Sequence, residues 1–423
     1  MLNYQMDIQY AEFSLNSHQN IKGVKLIGAK TSVRTPTHTI VLLDTSGSMC
    51  ESNKLTNVKN SLLYLLKYLQ PTDILTLITF STISKIKMNA YTTSENLDMI
   101  RHIINTLQVE GGTNLSAGLF NVKEVLELSP TSTAKTGLII LTDGHTNEGV
   151  VLHSSLMEII TSLKTIQPNL SITTIGYGDD HNAYLLRDIG LRGGGSYNVV
   201  NTQDEVGATF GEILGGLMSC VAQNISIQYP SSWKCMNMYP SSTVDDMTTL
   251  YVGDLYSESE TTILFNVSTN SPILVKGVNA QTYQIILHSV LWTPLSTSSI
   301  ASYKVSYIQA CVAACLISPL SNIHLHNEFL KLSAYLEDPE IQYHPLVSVL
   351  KTEVQHMMNR ELNDLERTQH SAFFTTGRGI SRRLNLDYDA LANQLSNITI
   401  TSPFSNNVQR ELSLCIQADC DPS

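Results

Sequence analysis

Three polar turns in the sequence carry oxygen-bearing side chains that could bind a cation. The first contains Asp44, Ser46 and Ser48 directly after an apolar run. The second places Thr113 after two glycines, and the third places Asp143 after another apolar run. Together they offer two carboxylates and three hydroxyls, with no imidazole or thiolate. Because hard divalent cations prefer oxygen ligands, this set predicts a site for Mg²⁺ or Mn²⁺, with Ca²⁺ as a third candidate.

The residues around these turns predict the elements that would bring them together. Residues 39 to about 220 alternate short apolar runs with amphipathic helical patterns, which is typical of a parallel α/β sheet. The predicted strands are 39–44, 74–80, 86–90, 137–142, 170–176 and 196–200. The predicted helices are 55–69, 94–107, 115–128, 154–165, 182–189 and 203–219. In such a doubly wound, mostly parallel sheet, ligands bind at the carboxyl ends of the strands, and the three turns can converge there.

The flanking regions have a different sequence pattern. After Cys220 the chain contains short, alternating, β-branched segments, and the first thirty residues are similar. Because the edges of a small sheet need partners, we hypothesise that the N-terminal strands join the later ones, so that the α/β unit is inserted into one β-sandwich. From residue 300 the apolar period is helical. The predicted organisation is an N-terminal β segment (1–35), an α/β domain (36–220), a β-sandwich (221–298), a helical region (299–367) and a linker with a weakly structured tail (368–423).

The three turns together resemble the metal-ion-dependent adhesion site of von Willebrand factor type A domains. The resemblance covers roughly residues 36–220 and implies a Rossmann-like α/β fold. It implies that Ser46 and Ser48 bind the metal directly and that Thr113 binds it directly or through water. It also implies that Asp44 and Asp143 hold the metal largely through water. A cation with mostly neutral direct ligands stays electrophilic, so the implied function is to recruit an Asp or Glu carboxylate from a protein partner.

The flanks extend this resemblance. A type A domain preceded by a β segment and followed by strands and helices is similar to intracellular type A proteins such as the plant ubiquitin-ligase group. In layout it also resembles the inter-alpha-trypsin-inhibitor-like group. The ubiquitin ligases carry a Cys/His RING motif that this sequence lacks, so ligase activity is not implied.

Composition limits the classes of partner and location. The 423 residues include 26 Lys and Arg against 37 Asp and Glu, a formal charge of −11, which argues against nucleic acid as a partner. Seven cysteines, an odd number without a C-x-x-C pair, indicate a reducing compartment. The first ten residues contain no apolar signal-peptide core, and the apolar run 308–320 is short for a membrane span. We therefore expect an intracellular protein without a membrane span.

The predicted role is non-enzymatic, metal-dependent binding of a protein partner. His145 is the only imidazole placed near a predicted strand end as a general base would be, and it follows the Asp143-Gly144 turn, so we expect it to shape the rim of the metal site. Two alternatives remain. The chain could be a recruitment or scaffold subunit of a larger complex, such as a ubiquitin-ligase-like or ATPase machine, or an assembly protein in which the metal only stabilises the fold.

Overall fold

The computed structural model of the protein divides into two compact units. One contains the described residues of 31–220, and the other contains those of 1–30 and 221–371. The described residues are 6–14, 20–31, 34–128, 134–178, 180–290, 297–318, 320–359, 361–362, 366–368 and 371. Of the predicted linker and tail, residues 368–423, all but 368 and 371 therefore lie outside the described residues.

The described chain begins with an antiparallel pair of strands, β1 (Met6–Ser14) and β2 (Asn20–Gly28). In register, Met6 is opposite Gly28 and Ser14 is opposite Asn20. After β2 the chain enters the α/β unit, and it returns to strands that join this pair only after residue 220.

The α/β unit is built on a six-stranded sheet with helices between the strands. Its strands are β3 (Thr37–Asp44), β4 (Ile74–Phe80), β5 (Ser84–Tyr91), β6 (Lys135–Thr142), β7 (Ser171–Tyr177) and β8 (Gly194–Val200). Its helices are α1 (Lys54–Leu65), α2 (Ser94–Asn105), α3 (Leu115–Leu128), α4 (His153–Ile166), α5 (Ala183–Arg192) and α6 (Gln203–Met218). The strand order is β5-β4-β3-β6-β7-β8, and every neighbouring pair is parallel except β4 and β5. The predicted doubly wound, mostly parallel sheet is thus confirmed.

The apolar strands are covered on both faces, as the continuous runs predict. All eight residues of β3 are buried. Val41 and Leu43 belong to the apolar core on one face of the sheet, and Ile40 and Leu42 belong to the core on the other. Helix α1 ends earlier than predicted, at Leu65 instead of residue 69, because the following residues form tighter i to i+3 hydrogen bonds.

The described residues of the second unit form two antiparallel sheets. The later strands are β9 (Cys220–Pro230), β10 (Lys234–Cys235), β11 (Ser241–Val244), β12 (Met247–Tyr256), β13 (Glu260–Asn266), β14 (Ile273–Asn279) and β15 (Ile285–Val290). Their orders are β1-β2-β13-β10 and β11-β12-β9-β14-β15. Strand β2 pairs with β13, from Ile27 opposite Glu260 to Ile21 opposite Asn266, so the N-terminal strands do join the later ones. Strand β14 was not predicted, although its residues alternate between buried and half-buried positions along its whole length.

Among the described residues, the strands are followed by helices α7 (Thr297–Ile317), α8 (Asn322–Tyr335) and α9 (Pro345–Met358). Helix α7 packs closely on β2, since a Cβ at Gly23 would lie 2.3 Å from the ring of Tyr303. Within the described chain, Ile300–Ile317 is the one helical stretch long and apolar enough to cross a membrane by length and composition, with a mean hydropathy of 1.5. The core helix of a soluble protein meets the same criteria, so the absence of a membrane span stays a prediction.

Candidate metal centre

Asp44 and Asp143 lie at the carboxyl ends of two neighbouring parallel strands. Asp44 is the last residue of β3, and Asp143 directly follows β6. The register of the pair, with Leu43 beside Leu141, brings Asp44 next to Thr142. The Thr142 hydroxyl donates a hydrogen bond to Oδ2 of Asp44. Parallel pairing therefore places the first and third predicted turns at the same edge of the sheet.

A chain of short contacts links the first turn to Asp143. The backbone N–H of Ser46 donates to Asp44 Oδ1 at 2.7 Å. The hydroxyls of Ser46 and Ser48 are 3.1 Å apart and hydrogen bonded. The Ser48 hydroxyl in turn donates to Oδ1 of Asp143 at 2.7 Å. Four of the five predicted ligands are thus in continuous contact.

Backbone hydrogen bonds fix the second turn, which carries Thr113, against the first. The N–H of Glu110 donates to the carbonyl of Thr45 at 2.6 Å, and the N–H of Gly47 donates to the carbonyl of Gly111 at 3.1 Å. Gly111 adopts a φ of +59°, which favours glycine. The turn that carries Thr113 is therefore held beside the turn that carries the two serines.

Thr113 faces the same glycine as Ser48. A Cβ placed on Gly144 would lie 3.8 Å from the Thr113 hydroxyl oxygen and 3.9 Å from that of Ser48. The third turn also holds Thr113 directly, because Asn147 Oδ1 accepts from the Thr113 N–H at 3.0 Å. All five predicted ligands consequently lie together around one point at the sheet edge.

The site is largely buried, and this affects its carboxylates. Asp44 is fully buried and Asp143 is 1% exposed, while Ser46 and Thr113 are also buried. Burial raises the pKa of Asp44 to about 6, and the charge of Asp143 adds to this rise, although hydrogen bonds from Thr142 and Ser46 oppose it. A divalent cation would supply the positive charge that favours an ionised Asp44.

The donor set fits a hard cation. It consists of two carboxylates and three hydroxyls, which are the oxygen donors that Mg²⁺ and Mn²⁺ accept. In the part of the chain that the structure describes, no three His, Cys, Asp or Glu side chains form a cluster that could hold a metal. Any metal bound at this edge would therefore depend on the serine and threonine hydroxyls as well as on the aspartates.

Sequence reasoning missed three residues that contact the predicted ligands. Thr142 bonds to Asp44, and its place directly before Asp143 was a usable signal. Asn147 accepts from Thr113, and Lys54 donates to Asp143 Oδ2 at 2.6 Å. Neither of these two contacts has a recognisable sequence signal.

His145 lies at the surface beside the third turn. Its Nε2 is 3.7 Å from Oδ1 of Asp180, and both side chains are exposed. This position agrees with a residue at the rim of the site.

A family model matches most of the α/β unit, and curated relatives match about half of the chain. The model, described as von Willebrand factor type A domain, matches residues 39–211. The chain is 24% identical over 235 residues to "Uncharacterized protein YfbK" of Escherichia coli K12, which covers 54% of this chain and 40% of that protein. It is 27% identical over 202 residues to human "Inter-alpha-trypsin inhibitor heavy chain H1", covering 45% of this chain and 21% of that protein. The chain thus spans less than half the length of these relatives.

Solved structures share the fold over most of the chain. A "von Willebrand factor type A" protein from Catenulispora acidiphila has a TM-score of 0.63 at 13% identity, covering 88% of this chain and 96% of that one. The "ArnB paralog VWA2" from Sulfolobus acidocaldarius has a TM-score of 0.60 at 14% identity, covering 88% and 98%. At such identities the likeness concerns the fold alone. Together with the family model, it shows that residues 39–211 of this chain form a von Willebrand factor type A domain.

Proposed function

We propose that the type A domain binds an Asp or Glu side chain of a protein partner through Mg²⁺ or Mn²⁺. Ser46, Ser48 and Thr113 would hold the ion, with Asp44 and Asp143 acting largely through water. The observation that carries the proposal is the convergence of these five oxygen-bearing side chains from three separate turns, linked by the hydrogen bonds from Ser46 through Ser48 to Asp143.

The chemistry of the donors favours binding over catalysis. When bound, the metal supplies an electrophilic centre that accepts a carboxylate as a further ligand. The protein would contribute neutral hydroxyls close to the ion and keep its two carboxylates buried behind them. His145 lies at the surface, where its Nε2 is 3.7 Å from Oδ1 of Asp180.

Charges around the site limit which acidic partners fit. Glu51, in the 3₁₀ segment Gly47–Asn53 that also carries Ser48, and Asp180, beside His145, are both exposed. The side chain of Glu148 reaches Thr82 at 3.3 Å beside the second turn. These carboxylates would repel a strongly acidic surface. We therefore propose that the bound Asp or Glu of the partner is flanked by neutral or basic residues.

The test is a selection of displayed random peptides on the immobilised protein in Mn²⁺, followed by elution with chelator. Each selected peptide is then remade with its Asp or Glu replaced by Asn or Gln. We expect these replacements, and the Thr113→Ala variant of the protein, to weaken binding by about tenfold or more. Thr106→Ala is the matched control, because Thr106 is exposed at the end of α2. Equal binding of acidic and amide peptides would contradict the proposal.

A scaffold or assembly role is the second candidate. In the described part of the second unit, β15 is an edge strand, and its Ile285 and Leu287 point to one face with 80% and 63% exposure. Exposed apolar edge strands favour pairing with another chain. Ile285→Lys should reduce any self-association measured by analytical ultracentrifugation. If the metal serves only to stabilise the fold, chelation will lower the melting temperature and the selection will yield no peptide whose binding depends on its carboxylate.

A further inference from the structure

Lys54, the first residue of α1, forms an ion pair with Asp143, one of the predicted metal ligands. Lys54 Nζ lies 2.6 Å from Asp143 Oδ2, and Ser48 donates to the other oxygen, Oδ1. The Asp143 side chain is fully buried, and that of Lys54 is only 14% exposed. Burial of this kind strengthens the ion pair relative to one at the surface.

An unusual backbone path brings Lys54 to this position. The 3₁₀ segment Gly47–Asn53, which carries Ser48, is interrupted before α1 begins. Ser52 and Asn53 both adopt left-handed conformations, with φ of 49° and 57°. Consecutive left-handed residues are rare outside glycine, so this reversal is a specific feature of the segment. It allows Ser48 and Lys54, six positions apart, to contact the same carboxylate.

We infer that the Lys54 ammonium group and the divalent cation compete for Asp143. This inference rests on the proposed metal site, but it concerns the metal alone and needs no partner. A lysine is a monovalent cation held by the chain itself, and it neutralises Asp143 when no metal is bound. A divalent ion arriving at the same carboxylate meets a like charge close by, which opposes its binding. Even where Asp143 holds the ion through water, the two cations share one carboxylate charge, so Lys54 lowers the metal affinity of the site.

The test is calorimetric titration of Mg²⁺ and of Mn²⁺ into chelator-stripped protein of residues 1–423. Lys54→Met removes the charge and keeps the length of the side chain, and we expect it to tighten metal binding by about tenfold or more. Lys54→Arg keeps the charge and should retain the wild-type affinity. Lys59→Met is the matched control on the same helix, because Lys59 Nζ bonds to the carbonyl of Asn105.

Thermal unfolding gives a second readout that is independent of calorimetry. Without metal, Lys54→Met leaves Asp143 without its cation, so the melting temperature in chelator should fall below that of the wild type. Saturating Mg²⁺ should then raise the melting temperature of Lys54→Met by more than that of the wild type. Lys54→Gln offers a polar replacement if Lys54→Met does not fold.

The outcomes separate this inference from the proposed function. Binding by Lys54→Met but not by the wild type would support both, since the lysine would then fill the site. Equal or weaker binding by Lys54→Met than by the wild type would overturn the competition and leave the metal site intact. Absence of binding in both proteins would overturn the metal site and, with it, the competition.

Discussion

An aspartate is buried at each end of the parallel sheet, but the groups that donate hydrogen bonds to the two carboxylates differ. At the amino end, Asp73 precedes β4 and accepts hydrogen bonds from the Arg34 guanidinium, at 3.0 Å from Nη1 to Oδ1, and from Thr37 and the Gln70 N–H. At the carboxyl end, Asp44 has hydroxyl and amide donors, and Asp143 lies nearby. Burial raises the pKa of Asp44 to about 6.

This difference is what we expect if the amino end has a structural role and the carboxyl end binds the proposed metal. Arg34 balances the charge of Asp73, so no additional cation is needed at the amino end of the sheet. The carboxyl end gathers two buried carboxylates with three hydroxyls, and Lys54 is the cation paired with Asp143. A divalent ion would complete the charge balance there. Substitutions at each end of the sheet can test these two roles separately.

The largest effect is expected from Asp73→Asn. Removing one partner of a buried ion pair leaves Arg34 without its counter-charge and weakens several hydrogen bonds, which should cost roughly 3–5 kcal/mol in the free energy of unfolding. Urea titration followed by circular dichroism measures this. Asp98→Asn is the control, since Asp98 is 96% exposed in its pair with Arg101 and should change stability by less than about 1 kcal/mol. A similar small loss for both variants would contradict the structural role of the amino end.

The next-largest effect is a pH dependence of stability that comes from His38, which also lies near the amino end of the sheet. Its Nε2 is 2.8 Å from the Thr76 hydroxyl, and burial lowers its pKa to about 4. The unfolded chain takes up the proton near pH 6.5 and the folded chain does not, so stability present above pH 6.5 is lost as the pH falls towards 4. The loss should total roughly 3 kcal/mol. The His38→Gln variant should not show this loss of stability at low pH.

Asp44 acts in the opposite direction over part of the same range. Because its folded pKa is raised, its ionisation costs stability above about pH 4, and protonation restores this as the pH falls through 6. The difference between wild type and His38→Gln at each pH cancels this contribution. The measurement is the free energy of unfolding of both proteins at a series of pH values. A difference between them that stays constant from pH 7 to 4 would contradict the role of His38.

The smallest effect is expected from Thr142→Val at the carboxyl end. This change removes the hydroxyl that orients Asp44 and keeps the side-chain shape. Outer contacts of this kind typically change metal affinity by about 10–100-fold, and we expect a value near tenfold. Thr174→Val on the neighbouring strand β7 is the control, because its hydroxyl bonds to the Leu186 carbonyl. Equal metal affinities in the two variants would show that Thr142 does not position Asp44.

The sequence predicted the α/β unit well because its signals are local. Strand 39–44 was found as Thr37–Asp44 and strand 74–80 as Ile74–Phe80, since continuous apolar runs between polar turns define buried strands. The convergence of the predicted ligands followed from the parallel arrangement, which places Asp44 and Asp143 at one edge. These features depend on residue type and order alone.

Other features depend on contacts that the residue pattern does not encode. Lys54 reaches Asp143 only because Ser52 and Asn53 adopt left-handed conformations, and nothing in their residue types requires this. Strand β14 was missed as well, and its place in the sheet follows from its pairing with β9 and β15. The metal, its partner, the intracellular location and the absence of a membrane span stay predictions.

The most direct test of the metal site is calorimetric titration of Mn²⁺ into chelator-stripped protein, with the Asp44→Ala/Ser48→Ala variant measured beside the wild type. A metal centre at this edge of the sheet predicts saturable binding of one ion by the wild type or, at the least, by Lys54→Met. It predicts no measurable binding by the double variant when its circular dichroism spectrum shows that it is folded. Binding of equal affinity in the folded double variant, or no binding in any of the three proteins, would contradict a metal centre at this edge of the sheet.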